Sequence, residues 1–341
     1  MFVSRDGSIL GMQIEGKKNL LINKNFSYFT YSREALIELL NFNKISLGDE
    51  ILLPNYLCSS VIECILPITE NIKYYSINDN LLYSKSEVSN LISDKTRLII
   101  FVDYFGVETK VDKDLELELK KNKIILVKDS SHSFLSLVNR NFKKDYQYDY
   151  LISSIYKNIP LQVGSIAIGS FNKVHNFINL FILMKRYIII FLKNILCFFG
   201  FNRFINKGMQ NISISSDSTV DYYYGFNAIK FYQKILFHIN LRNIIVEKQN
   251  LVSLFNKFFN GNPTYKPLFS PEIMNQNILQ AYPILFKNKG QRDLMLNLLI
   301  KNCIDAYTWP TFHKTNCDDF LWERILLLPL NKKVIRVLQN V

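Results

Sequence analysis

Two uninterrupted apolar runs, Leu98 to Val102 in TRLIIFVDYFG and Ile124 to Val127 in NKIILVKDSSH, enclose the charged stretch VDKDLELELKKN. A strand that is apolar at every position, rather than at alternate ones, is covered on both faces, which is how a parallel sheet sandwiched by helices looks in sequence. The charged stretch reads as an amphipathic helix, and it serves as the crossover of a right-handed βαβ unit. In such sheets the ligand crevice lies at the carboxyl ends of the strands. Tyr104 and Asp129 are expected at those ends.

The flanking sequence extends this pattern. TYSREALIELLNF has apolar residues at Ala35, Leu36, Leu39 and Leu40 behind Ser32, a helical spacing with Ser32 as its N-cap. The free amides at such a helix start can receive a phosphate, although most capped helices bind nothing. In SLGDEILLPNYLCSSVIECIL a turn is followed by a short strand, Ile51 to Leu53, then Pro54 and a second helix, and ENIKYYSI reads as a further strand. STVDYYYGFNAIKFYQKILFHI looks like a turn leading into a helix. Beyond it, QAYPILFKN, a helix from Gln291 to Asn302, DAYTWPTF and RILLLPL alternate helix and strand. The chain of 341 residues therefore divides into a large α/β domain, 1–215, and a smaller α+β domain, 216–341.

Apolar residues make up 48% of the chain and charged residues 21%, a globular balance. The net charge of +12 favours anionic partners, but the cations are spread in short pairs such as Lys17-Lys18 and Lys332-Lys333. No dense basic arm for nucleic acid is present. The five cysteines form no CxxC pair and no Cys/His spacing for zinc, so no metal is expected and a reducing compartment is. The first residues, MFVSRDGSILGMQIEGKK, are too polar for a secretory signal, which suggests a cytoplasmic protein. Residues 174–201 are strongly apolar but interrupted by Lys185, Arg186 and Lys193. They form a helical insert, 174–205, that either packs on the body or a partner subunit or rests on a membrane surface; no uncharged run is long enough to span one.

Three residues carry the chemistry. Lys157 ends the apolar run of YDYLISSIYKNIPLQVGSIAIG. It either snorkels to the surface or presents an amine in a dry site, able to form a Schiff base with a carbonyl. Asp129, after a buried strand, is either a helix cap shared with Ser130 and Ser131 or an ionised carboxylate paired with a protonated ring nitrogen. His132 lies three residues on and can turn towards the same ligand.

The order of these features resembles fold-type I pyridoxal-phosphate enzymes, and more narrowly the DegT/DnrJ/StrS family of sugar aminotransferases. The likeness is clearest over Phe29 to Ile168 and returns at YGFN, AYPILFKN and YTWPTF. It implies a mostly parallel seven-stranded sheet in the large domain and pyridoxal 5′-phosphate as cofactor. TYSREAL is similar to the family's Ser-Gly-Thr-Ala-Ala-Leu segment, so the backbone of Ser32, Arg33 and Glu34 would hold the cofactor phosphate. VKDSSHS resembles the Glu-Asp-Ala-Ala-Gln/His element, so Asp129 would pair with the pyridine nitrogen and His132 would approach the ring hydroxyl. SSIYKNIPLQVGS resembles the segment that ends in the Schiff-base lysine, which makes Lys157 that residue and Ser154, with Ser153 second, a phosphate ligand. Asn227 in YGFN resembles the asparagine that reaches the phosphate from a neighbouring subunit, which implies a homodimer.

Four positions depart from the pattern. Ser32-Arg33 replace Gly-Thr, Cys58 stands where an aromatic often stacks on the ring, Val163 replaces an Asp, and the arginine after YGFN is missing. Tyr56 is the alternative stacking ring. By resemblance the reaction is amino transfer, from glutamate to a nucleotide-linked keto sugar for a surface polysaccharide. The rival readings are a decarboxylase or transaminase of a small phosphorylated amino compound, and a non-catalytic member of a polysaccharide assembly complex.

Overall fold

The computed structural model describes residues 26–140, 147–159, 161, 163–171, 177–179, 184–185, 187–189, 191–192, 195, 225–227, 239–262, 265–309 and 321–339. A seven-stranded sheet forms its centre. The strands are β1 (Ser27–Phe29), β2 (Glu50–Pro54), β3 (Ile72–Tyr75), β4 (Thr96–Val102), β5 (Ile125–Asp129), β6 (Tyr150–Ser154) and β7 (Ser165–Ile168). They lie in the order β1-β7-β6-β5-β4-β2-β3. The run from β3 to β6 is parallel, while β7 is antiparallel to both β6 and β1.

The apolar runs form this sheet because each is covered twice. In β4 every residue but Arg97 is buried, as are all five residues of β2 and of β6. The helices that cover them are α1 (Ser32–Phe42), α2 (Ser59–Ile65), α3 (Lys85–Leu91), α4 (Lys113–Lys121) and α5 (Phe134–Asn139). The crossover helix α4 is the charged stretch between β4 and β5. Asp112 caps it by accepting the Asp114 and Leu115 N–H groups, and only Leu115 and Leu119 are buried. Acids at its start and Lys120 and Lys121 at its end suit the helix dipole.

The C-terminal part has a three-stranded antiparallel sheet, Tyr265–Pro267, Tyr282–Phe286 and Ile325–Leu328. The helices Leu241–Phe259, Lys289–Lys301 and Lys332–Gln339 accompany it. Leu251, Phe255 and Tyr282 from this part share one apolar core with Leu53, Ile100 and Val127 of the large sheet. The 215/216 boundary lies outside the described residues.

Three sequence expectations are corrected. The N-cap of α1 is Tyr31, with extended φ and ψ, and Ser32 is the first helical residue. Lys157 does not end a strand: β6 stops at Ser154, and Lys157 sits in the turn beyond. The insert 174–205 is not helical from its start, because Phe177–Asn179 is a strand pairing antiparallel with Gly225–Asn227.

Candidate active site

The topology changes direction between β2, which is flanked by β3 on one side and β4 on the other. A crevice opens at the carboxyl ends of strands at such a point. Here the cavity is lined by Ser32, Arg33, Cys58, Asp129, His132, Ser154 and Lys157, seven of the residues singled out in the sequence. They come from the start of α1, the loop before α2, the end of β5 and the turn after β6.

Hydroxyl groups gather at the start of α1. Ser32 Oγ lies 2.7 Å from Ser154 Oγ and 2.9 Å from Ser165 Oγ, and Ser131 Oγ donates to Ser32 Oγ at 3.2 Å. Ser165 is directly opposite Ser154 in the β6–β7 register. Ser32, Ser131 and Ser154 line the cavity and make a cradle for an oxyanion at the positive end of a helix, with the buried Ser165, which donates to Ser153 O, behind them. Arg33 adds a cation to the same cavity, with its guanidinium carbon 4.5 Å from the centroid of the Tyr31 ring.

Asp129 is the last residue of β5 and is partly buried. One of its carboxylate oxygens accepts the Ser131 N–H at 2.9 Å and closes a local turn; it caps no helix, since the N-cap of α5 is Ser133 and has no side-chain cap bond, so the capping reading of Asp129 is corrected. The chain just beyond it is fixed from below. Ser130 Oγ donates to buried Asp103 at 2.7 Å, and Asp103 also accepts the Thr109 N–H at 2.8 Å. Lys128, which is fully buried, approaches Asp103 at 3.7 Å and Glu108 at 3.3 Å, and Arg140 pairs with Glu108. Burial raises the Asp103 carboxyl above its usual range, with Lys128 opposing the shift.

His132 is held between aromatic rings, stacked on Phe105 at 5.7 Å and edge-on to Trp309 at 5.0 Å. The Phe105 N–H donates to His132 Nδ1 at 3.4 Å, and Nε2 faces Lys157 Nζ at 3.4 Å. With Nδ1 accepting the Phe105 N–H, Nε2 is the ring nitrogen turned towards the amine. Burial first, and the neighbouring lysine second, hold the imidazole pKa well below its ordinary value. The ring is therefore neutral and held in place beside the amine. Phe105 and Gly106 form the turn behind it at φ 58° and 104°. A Cβ on Gly106 would meet the Ile278 carbonyl oxygen at 2.5 Å, so only glycine fits there.

Three residues expected near a cofactor are placed elsewhere. Glu34 does not line the cavity: its carboxylate turns back to accept the Thr30 N–H at 2.9 Å, and its own N–H donates to Tyr31 O. The N3 carboxylate thus ties down the residue just before the N-cap Tyr31. Ser153 is fully buried and donates to Ser130 O. Tyr56 spends its hydroxyl on Trp309 O at 2.7 Å and does not line the cavity. For Asn227 the structure describes the backbone strand Gly225–Asn227 only. Conversely, Tyr31 and Trp309 line the site without having been singled out, Ser131, expected only as a cap, lines it too, and Ser165 backs it through Ser32. The β6–β7 register is the only signal for Ser165, and an alternating strand pattern does not reveal a partner eleven residues on.

Burial raises the Glu34 pKa to about 7. The protonated form is thus favoured by folding, and its contribution is full below the unfolded carboxyl pKa of about 4.3 and lost as pH rises to about 7, a change of roughly 3 kcal/mol. Wild-type stability therefore falls between pH 5 and 8 relative to Glu34→Gln, whose amide oxygen keeps the Thr30 bond. Denaturant midpoints of the two proteins at both pH values check this, and parallel pH dependences would contradict it.

A family model for DegT/DnrJ/EryC1/StrS aminotransferases matches residues 29–177, the stretch that builds this cavity. That segment, a little under half of the chain, is similar to the DegT/DnrJ/EryC1/StrS aminotransferase family. The fold of the whole chain agrees. A putative sugar aminotransferase Spr1654 from Streptococcus pneumoniae, in its PMP form, is similar at a TM-score of 0.63 and 15% identity, covering 92% of this chain and 87% of that one. Helicobacter pylori PseC, an aminotransferase involved in the biosynthesis of pseudoaminic acid, aligns at 0.60 and 17%, covering 92% and 86%. NtdA from Bacillus subtilis, with bound cofactor PMP, aligns at 0.62 and 13%, covering 92% and 72%. No curated protein matches the chain by sequence. The mostly parallel seven-stranded sheet is accordingly that of the fold-type I aminotransferases.

Proposed function

We propose that this aminotransferase uses pyridoxal 5′-phosphate to move an amino group from L-glutamate to a nucleotide-linked keto sugar, in the making of a surface polysaccharide. The observation that carries the reading is the meeting of an amine, a strand-end carboxylate and a hydroxyl cradle in one cavity. Those three groups fit the three ends of the cofactor. The hydroxyls of Ser32, Ser131 and Ser154, with the start of α1, would hold its phosphate. Asp129 would hold the pyridine nitrogen in its protonated state, His132 would approach the ring hydroxyl, and Lys157 would supply the amine for its carbonyl. When bound, the cofactor supplies an electron sink for the carbanion at the amino-bearing carbon.

The chain's own residues then manage protons and water. Lys157 Nζ is the atom that takes up and returns the proton of that carbon, and His132 Nε2, 3.4 Å away, positions it. Tyr31, Tyr156 and Trp309 wall the cavity with aromatic surface and reduce the water around the reacting atoms. Arg33 and the net charge of +12 suit a phosphate-bearing acceptor. The two similar sugar aminotransferases support a sugar as that acceptor. The family likeness of Asn227 supports a homodimer with shared sites.

Ser32→Ala removes the hub of the hydroxyl cradle and with it about 1 to 1.5 kcal/mol of phosphate binding, so cofactor affinity falls roughly tenfold. A spectroscopic titration with pyridoxal 5′-phosphate measures it, and an unchanged dissociation constant would remove Ser32 from the phosphate site. The acceptor class is tested with nitrogen-15 glutamate and a panel of nucleotide-linked keto sugars. The label is expected in an amino sugar nucleotide, together with 2-oxoglutarate. Label in no sugar, with turnover of a small phosphorylated amino compound, would overturn the proposal.

A further inference from the structure

Between the strand Phe177–Asn179 and residue 195, the described residues 184, 185, 187–189, 191, 192 and 195 are helical. Met184, Tyr187, Ile188, Phe191, Leu192 and Ile195 recur at intervals of three and four, so they share one face. Each of them is exposed, from 36% at Ile195 to 64% at Phe191. The other large exposed apolar side chains, such as Leu47, Leu82, Leu117 and Leu294, stand singly along the sequence. Single ones are ordinary, whereas a contiguous apolar patch marks a surface that something covers.

Charge decides what covers it. The sequence has no Asp or Glu from residue 150 to residue 216. Over the last 47 of those residues it carries Lys173, Lys185, Arg186, Lys193, Arg203 and Lys207, so this short stretch holds +6 of the chain's +12. A second copy brought against the same face by two-fold symmetry would set this cationic stretch against itself. An anionic surface sets it against opposite charge. Among the described residues no helix is long and apolar enough to cross a membrane. A helix with an apolar face and cations but no acids is the kind that lies in the interface plane.

We propose that the face Met184, Tyr187, Ile188, Phe191, Leu192 and Ile195 rests in the headgroup layer of an anionic lipid bilayer. The apolar side chains enter the acyl boundary, and the lysine and arginine stems of the stretch extend their charges to lipid phosphates. The inference does not depend on the reaction. It places a sugar-modifying enzyme beside a membrane, where a lipid-linked consumer of its product would work.

Flotation of the full chain with vesicles tests it. Binding is expected to vesicles of phosphatidylcholine containing about one third phosphatidylglycerol and not to phosphatidylcholine alone. Binding should weaken about tenfold or more as salt rises from about 0.1 M to about 1 M, because the screening length shrinks from about 10 Å to about 3 Å. Ile188→Asp with Phe191→Asp should abolish binding while leaving sedimentation and cofactor absorbance unchanged. Where that variant fails to fold, Lys185→Gln with Arg186→Gln and Lys193→Gln keeps the apolar face and should lose the salt-sensitive part of binding. No binding of the wild type to either vesicle overturns the proposal. So does an aspartate variant that loses self-association yet still binds vesicles, which would make the face an interface between copies.

Discussion

Lys157→Ala lowers amino transfer by at least about 10³-fold, because it removes both the covalent anchor for the cofactor and the atom that moves the proton. Few other groups can substitute. Lys157 Nζ is 3.4 Å from His132 Nε2, and the imidazole pKa is held well below its ordinary value by burial, so His132 is a poor replacement base. Lys128, although close in sequence to Asp129, is buried among Asp103 and Glu108 beneath the sheet end. The variant should fold normally, since Lys157 sits in a turn and is only partly buried. Single-turnover kinetics with glutamate, alongside thermal unfolding, separate the two effects. A variant that keeps a tenth of wild-type turnover would contradict the assignment.

Asp129→Asn is the second large effect, with turnover falling about 10²- to 10³-fold as a fixed charge is removed from the reacting group's environment. The amide still accepts the Ser131 N–H that Asp129 accepts at 2.9 Å, so the turn after β5 should survive. The loss should therefore appear in kcat, with KM for glutamate and the unfolding midpoint little changed. Equal losses in stability and turnover would instead make Asp129 a structural residue of the turn it closes with the Ser131 N–H.

Both residues were legible in the sequence for a physical reason. Buried parallel strands are apolar at every position, so the polar residues that end one are conspicuous, and Asp129, which follows Lys128 after the apolar run, is the last residue of β5. Lys157 was legible as to identity but not geometry. It follows β6 by three residues, in a turn held by the Ile155 N–H to Gly164 O bond, and the apolar run gives no sign of where the strand stops. Ser32 was read as the cap of α1, yet the extended residue is Tyr31, and that one-residue shift places the Ser32 hydroxyl in the cradle. Glu34 was expected to face the phosphate with its neighbours. Helical geometry instead turns it to Thr30, a contact that a sequence pattern alone does not orient. Trp309 reaches His132 from a separate part of the chain, and no local pattern encodes a contact of that range.

The central claim is that Lys157 is the amine that holds the cofactor. Its most direct test is borohydride reduction of the protein saturated with pyridoxal 5′-phosphate, followed by peptide mass mapping. One phosphopyridoxyl group on the peptide bearing Lys157, absent from Lys157→Ala, is the predicted result. A protein that takes up no reducible cofactor, or carries it on another lysine, would contradict the account.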